Sequence, residues 1–174
     1  MKSAIAAFAA LALAAPVLAQ EDAPPAPPPC QDESYRAFDF WLGAWRVTDP
    51  EGSFQGNNVI TQAEDGCLIL EHWTSANGGT GQSYNFYDPG LQKWRQVWVS
   101  GGGVIDYAGG LTETGSMKLQ GEIAYHNGAA FPFTGEWTLQ DDGTVRQHFE
   151  QFNPETETWD PWFTGIYTRV DSAE

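Results

Sequence analysis

Glu71-x-Trp73, Ser83-x-Asn85-x-Tyr87 and Trp94-x-Gln96-x-Trp98 place polar and aromatic side chains at every second residue. An extended strand sends successive side chains to opposite faces, so each run collects these groups on one face. A carboxylate, a hydroxyl and amides set among rings is the composition of a small-molecule site. Glu71 carries the most chemistry. Turned inward, its carboxyl must be neutral or paired, and a perturbed carboxyl in a pocket is a functional candidate. Turned outward, it is an ordinary solvated carboxylate.

Parity selects between these readings. Charged Lys93 and Arg95 require water, which points Trp94, Gln96 and Trp98 inward. Pairing Tyr87 with Trp94 across Asp88-Pro89-Gly90 sets Asn85 opposite Gln96 and Ser83 opposite Trp98. A symmetric register over Asn77-Gly78-Gly79 then pairs Trp73 with Ser83 and Glu71 with Asn85. The predicted ligand-binding set is therefore Glu71, Trp73, Ser83, Asn85, Tyr87, Gln96 and Trp98, with Trp94 beside them. Arg146-Gln147-His148-Phe149 echoes Arg95-Gln96-Val97-Trp98, which adds Gln147 and Phe149. The Phe152…Trp159 turn, built like Tyr87…Trp94, instead puts Arg146, His148 and Glu150 inward. A bulge between Phe149 and Phe152 would reconcile the two.

Other chemistries lack their residues. His72, His126 and His148 are scattered, with no H-x-x-x-H or Cys/His spacing, so no metal site is expected. No Gly-x-Ser-x-Gly elbow occurs, and no Gly-rich loop opens a helix to hold phosphate. Glycoside hydrolysis needs two opposed carboxylates, and the inward set holds one. No catalytic residue is assigned, and no cofactor is expected.

The elements that must position these groups are strands. Ten strand-like runs follow one another at 40–48, 55–64, 67–74, 82–87, 93–99, 104–111, 116–125, 131–139, 144–152 and 159–170. They are separated by Asp-Pro, Asp-Gly, Asn-Gly, Gly-Gly-Gly and Asn-Pro turn signals. No helical periodicity appears after Trp41. Short spacings favour sequential hairpins, and closing the sheet removes its edges. The predicted fold is all-β: an antiparallel up-and-down β-barrel of about ten strands, with a helical turn in 31–38 that lids one end. Phe40–Thr48 is its expected first strand.

Ahead of the barrel, Lys2, the apolar run Ala4–Val17 and Val17-Leu18-Ala19 read as a signal peptide over 1–19. The apolar run is too short for a stable membrane span. A Pro-rich flexible leader occupies 20–34, and a single barrel domain 35–171. The formal charge is −15, from 23 acidic and 8 basic residues. With no basic cluster, partners made of nucleic acid or anionic membrane are excluded. Cys30 and Cys67 are expected to form a disulfide, the default for two cysteines in an exported chain, worth roughly 3–4 kcal/mol by loop entropy.

Gly43-Ala44-Trp45 resembles the Gly-x-Trp signature of the first strand in lipocalins and related calycin barrels. In those proteins an Arg from the last strand covers that Trp, and Arg169 stands at the matching place. The series Phe38-Asp39-Phe40-Trp41-Leu42-Gly43, Gly66-Cys67, Glu71-x-Trp73, Gly81-x-Ser83-x-Asn85-x-Tyr87-Asp88 and Trp94-x-Gln96-x-Trp98 resembles exported lipocalin-like bacterial barrels of unassigned function. The resemblance implies an internal pocket and no reaction. Two features depart from lipocalins: no long C-terminal helix, and ten strands in place of eight. Ten is closer to fatty-acid-binding or haem-binding nitrobindin-like barrels.

The expected function is that of a non-catalytic carrier, periplasmic or secreted, binding a small amphipathic or apolar ligand such as a lipid or aromatic. Three alternatives stand beside it: an isomerase or hydrolase using Glu71, a haem-binding barrel, and a ligand-free scaffold. Oligomeric state is set by none of these features.

Overall fold

A computed structural model describes residues 28–170. The predicted signal peptide (1–19) and leader residues 20–27 lie outside the described residues. Ten strands follow a short helix, α1 (Glu33–Arg36): β1 (Gly43–Thr48), β2 (Phe54–Ala63), β3 (Leu68–Ser75), β4 (Thr80–Asp88), β5 (Lys93–Ser100), β6 (Gly103–Leu111), β7 (Met117–Tyr125), β8 (Ala130–Leu139), β9 (Val145–Asn153) and β10 (Thr158–Arg169). Each pairs antiparallel with its sequence neighbour, and β1 also pairs with β10. The sheet closes into an up-and-down barrel, as the turn spacing predicts. Alternation is clean: in β4, Gly81, Ser83 and Asn85 are buried while Gln82 and Tyr84 are exposed.

Phe40–Thr48 is not one strand. Asp39–Trp41 form a 3₁₀ turn, and β1 begins only at Gly43. The reason is burial: a helical turn brings Phe38 and Trp41 to one side, whereas a strand would split them between faces. Both are fully buried. Phe38 stacks on Trp41 at 5.0 Å and meets Trp137 and Trp94 edge-on at 5.2 and 5.6 Å. With α1, this turn plugs one end of the barrel. Gly43 lets the chain pass from plug to strand. Its φ is +135°, and a Cβ there would run into the Arg169 guanidinium.

The plug is fastened on several sides. The Trp94 indole donates to the Ser34 carbonyl at 2.9 Å, Arg36 donates to the Gly66 carbonyl, and Tyr35 meets Tyr87 at 5.0 Å. Cys30 and Cys67 are disulfide-bonded, tying the segment before α1 to the start of β3. These contacts hold Cys30 and Ser34–Arg36 against the barrel. Arg169 lies 4.3 Å from the Trp45 ring centre and donates to the Leu42 carbonyl at 2.8 Å.

Two register expectations are corrected. Across β3–β4, Glu71 faces Ser83 and Trp73 faces Gly81, two residues away from the symmetric register. The turn closes with Ser75 N–H donating to Gly79 and Gly78 N–H to Ser75, so its centre is Asn77 rather than Gly78. A shift of two preserves parity, and the inward set survives. Between β9 and β10 the bulge lies in β10 at Pro161–Phe163, not between Phe149 and Phe152. Val145, Gln147 and Phe149 are buried in β9, so Arg146, His148 and Glu150 are not its inward set. The Phe152–Trp159 pair, 5.6 Å apart, sits on the outer face, and the turn analogy with Tyr87–Trp94 fails there.

Candidate functional site

Away from the plug, the barrel interior opens into a cavity of about 620 Å³. Its rim comes from the β3–β4 and β5–β6 turns, and its walls from Trp73, Trp98, Ile105, Phe149, Trp162 and Phe163. The β10 bulge shapes this wall. An extra residue re-aims its side chain, and both Trp162 and Phe163 line the cavity. The Trp162 indole donates to the Tyr125 hydroxyl at 3.1 Å, which in turn donates to Gln151 at 2.5 Å. Trp162 thereby leans over the mouth, still 47% exposed.

Polar groups gather between cavity and plug. Asn58 Nδ2 donates to Glu71 Oε1 at 2.7 Å, and Ser83 Oγ donates to Glu71 Oε2 at 2.5 Å. Asn85 Nδ2 donates to Ser83 Oγ at 2.9 Å and to the Ile69 carbonyl at 3.1 Å. Gln96 Nε2 donates to Asn85 Oδ1, and the Tyr107 hydroxyl donates to Gln96 Oε1. From Tyr107 through Gln96, Asn85 and Ser83, every bond in this chain runs toward the Glu71 carboxyl. On the other side, the Tyr167 hydroxyl donates to Gln147 Oε1 and accepts from Asn58 Nδ2 at 3.4 Å.

Glu71 is 4% exposed and its partners are neutral. Burial pushes its carboxyl up from 4.5 to about 7, against the opposing pull of the Ser83 and Asn58 hydrogen bonds. Burial likewise raises the Tyr107 and Tyr167 hydroxyls well above 10, with the Glu71 charge adding to it. Both tyrosines are therefore neutral donors. A carboxyl balanced near neutrality can hold or release a proton, or face a cation. Beside it, Asn58 Oδ1 is a buried acceptor without a partner among the described residues.

Of the residues singled out from sequence, Glu71, Trp73, Gln96, Trp98, Gln147 and Phe149 line the cavity. Ser83 and Asn85 lie behind them, joined to the lining through Glu71 and Gln96. Tyr87 stands at the other end, against Tyr35 and Trp94 in the plug. Tyr107, Tyr167, Ile105, Phe163, Trp162 and Asn58 belong to the site and escaped the sequence reading. For Tyr107 the signal was present. Asp106 pairs with Arg95 on the outer face at 2.7 Å, so its neighbour must point in, opposite Gln96. None of the three histidines lines the cavity, and His148 bonds Thr164 at 2.7 Å. No cluster suited to a metal ion occurs among the described residues.

Two glycines make room for the wall. A Cβ at Gly56 would strike the Trp73 ring and the Thr74 carbonyl, and one at Gly81 would strike the Trp98 ring. Trp98 has the cavity on its far side, so its ring can yield inward. Gly81→Ala is expected to cost about 1–3 kcal/mol of stability while swinging Trp98 into the chamber. Saturable binding of an apolar probe should weaken at least about tenfold, measured by fluorescence titration. Unchanged affinity would mean that Trp98 does not bound the occupied space.

A closed ten-stranded antiparallel barrel with an aromatic chamber and one buried carboxyl is a protein that can hold a ligand. No protein-family model matches the chain, and no curated protein is significantly similar to it. The disulfide is a bond of oxidising, extracytoplasmic compartments. Among the described residues, no helix is long and apolar enough to cross a membrane.

Proposed function

We propose that this chain is an exported, lipocalin-like barrel that carries one small, largely apolar ligand in the chamber above Glu71. Residues 1–19 serve as its signal peptide, residues 20–34 are the Pro-rich leader to the barrel domain of 35–171, and it works in the periplasm or outside the cell. The observation that carries the reading is the cavity itself. At about 620 Å³ it lies inside the range of small-molecule sites, and aromatic walls with a few convergent polar groups are their usual lining. Glu71, Gln96 and Gln147 would orient the polar end of the ligand, and Trp73, Trp98 and Trp162 would cover its body. Arg169 over Trp45 supports the likeness to calycin barrels, where that pair closes the end opposite the ligand.

Titration with N-phenyl-1-naphthylamine, followed by quenching of Trp emission, tests the reading. One saturable site per chain is expected, because three Trp line the chamber. Linear, unsaturable quenching by this and other apolar probes would leave the barrel a scaffold. The Glu71 carboxyl near pH 7 favours a second reading, in which it transfers a proton in an isomerisation or hydrolysis. That reading requires Glu71→Gln to lose turnover while keeping binding.

A further inference from the structure

Resting on the carrier reading, we propose that the ligand is a cationic amphiphile: an apolar or aromatic amine whose ammonium group meets the Glu71 carboxylate while its body lies among Trp73, Trp98 and Trp162. The charge inventory of the chamber leads there. Its lining holds one carboxyl and no Lys, Arg or His among the described residues. An anionic ligand such as a fatty acid would have no cation to receive its carboxylate and would face Glu71 at short range. A neutral ligand would offer the ionised carboxyl no countercharge, leaving it to take up a proton instead.

The hydrogen-bond polarity points the same way. The relay from Tyr107 to Ser83 ends on Glu71 as acceptor, and Asn58 Oδ1 beside it is a second buried acceptor lacking a donor. Of these two acceptors Glu71 is the one on the cavity wall, and an ammonium would bring it up to three N–H donors. Ring faces add attraction for a cation within about 6 Å. At the scale of the whole chain, the formal charge of −15 draws cations toward the mouth.

The groups facing Glu71 are Asn58 from β2, Ser83 from β4, Tyr107 from β6 and Tyr167 from β10, none of them cationic. Glu71 is therefore the group that sets the pH dependence. Amine affinity should be highest near pH 8 and decline as Glu71 takes up its proton below about 7.

Three probes with one body and different heads test the proposal: 2-naphthylmethylamine, 2-naphthalenemethanol and 2-naphthoate, each titrated at pH 8 by Trp quenching. The amine should bind roughly tenfold or more tighter than the alcohol, with the acid weakest. In Glu71→Gln the preference for the amine over the alcohol should vanish. Equal binding of amine and alcohol, tighter binding of the acid, or an amine preference that survives Glu71→Gln each overturns the proposal and leaves the carrier reading standing. Binding of none of the three overturns both.

Discussion

Glu71→Gln should make the protein more stable at pH 8.5 relative to wild type, and much less so at pH 4. The wild-type carboxyl titrates near 7 in the fold and near 4.5 once exposed. Between those values the folded chain holds a proton that the unfolded chain has released, so stability falls as pH rises through the window and levels off above it. The shift corresponds to about 3 kcal/mol across the window. Gln has nearly the same shape and no charge to desolvate, so it lacks this loss. The gap in unfolding free energy between variant and wild type should widen by about 3 kcal/mol from pH 4 to pH 8.5, or roughly 6–12 °C in Tm for a domain of this size. Thermal melts of both proteins across that range read it directly. A gap that stays constant with pH would show the carboxyl to be solvated or paired.

Removing the Cys30–Cys67 bond has the second large expected effect. The two residues are 37 apart in sequence, and a loop of that length is worth about 4 kcal/mol in chain entropy. The bond also fixes the approach to α1 and to Phe38 and Trp41, which fill the plugged end. A Cys30→Ala/Cys67→Ala variant should therefore unfold at a urea midpoint lower by roughly 2 M. Thiol titration of the unfolded, unreduced wild type should find no free thiol. Two free thiols, or a midpoint that the double substitution leaves unchanged, would remove the disulfide from the account of stability.

Strand number, closure and the inward face of β3 to β5 were legible because short-range chemistry determines them. Lys93 and Arg95 fix parity in β5, and Asp88-Pro89-Gly90 fixes its register with β4. The shift at Asn77-Gly78-Gly79 escaped because three consecutive turn formers allow neighbouring centres, and parity cannot distinguish registers two residues apart. Phe40-Trp41 misled for a different reason. Its dense aromatics satisfy the composition of a strand, while their burial is decided by a plug that depends on Trp94, Trp137 and Tyr167 from distant strands.

The site divides along the same line. Glu71, Trp73, Gln96 and Trp98 were readable from alternation within two hairpins. Asn58 was not, since Asn57 and Asn58 offer no parity and Val59 and Ile60 are both apolar on opposite faces. Its contact with Glu71 is diagonal, because its direct partner in β3 is Trp73. The inward turn of Trp162 depends on a bulge that Pro161, an ordinary breaker by type, does not announce. Closure of the barrel brings Tyr167 of the last strand beside Asn58 of the second, 109 residues away, a neighbourhood no local pattern contains.

Glu71 is buried in the wall of a chamber that a small molecule can enter. Carbon-13 titration of the Glu71 side-chain carboxyl tests it most directly, run on the free protein and again with saturating N-phenyl-1-naphthylamine. The expected result is a midpoint near 7 in the free protein and a resonance displaced by the probe. A carboxyl that titrates near 4.5 and ignores the probe would contradict it.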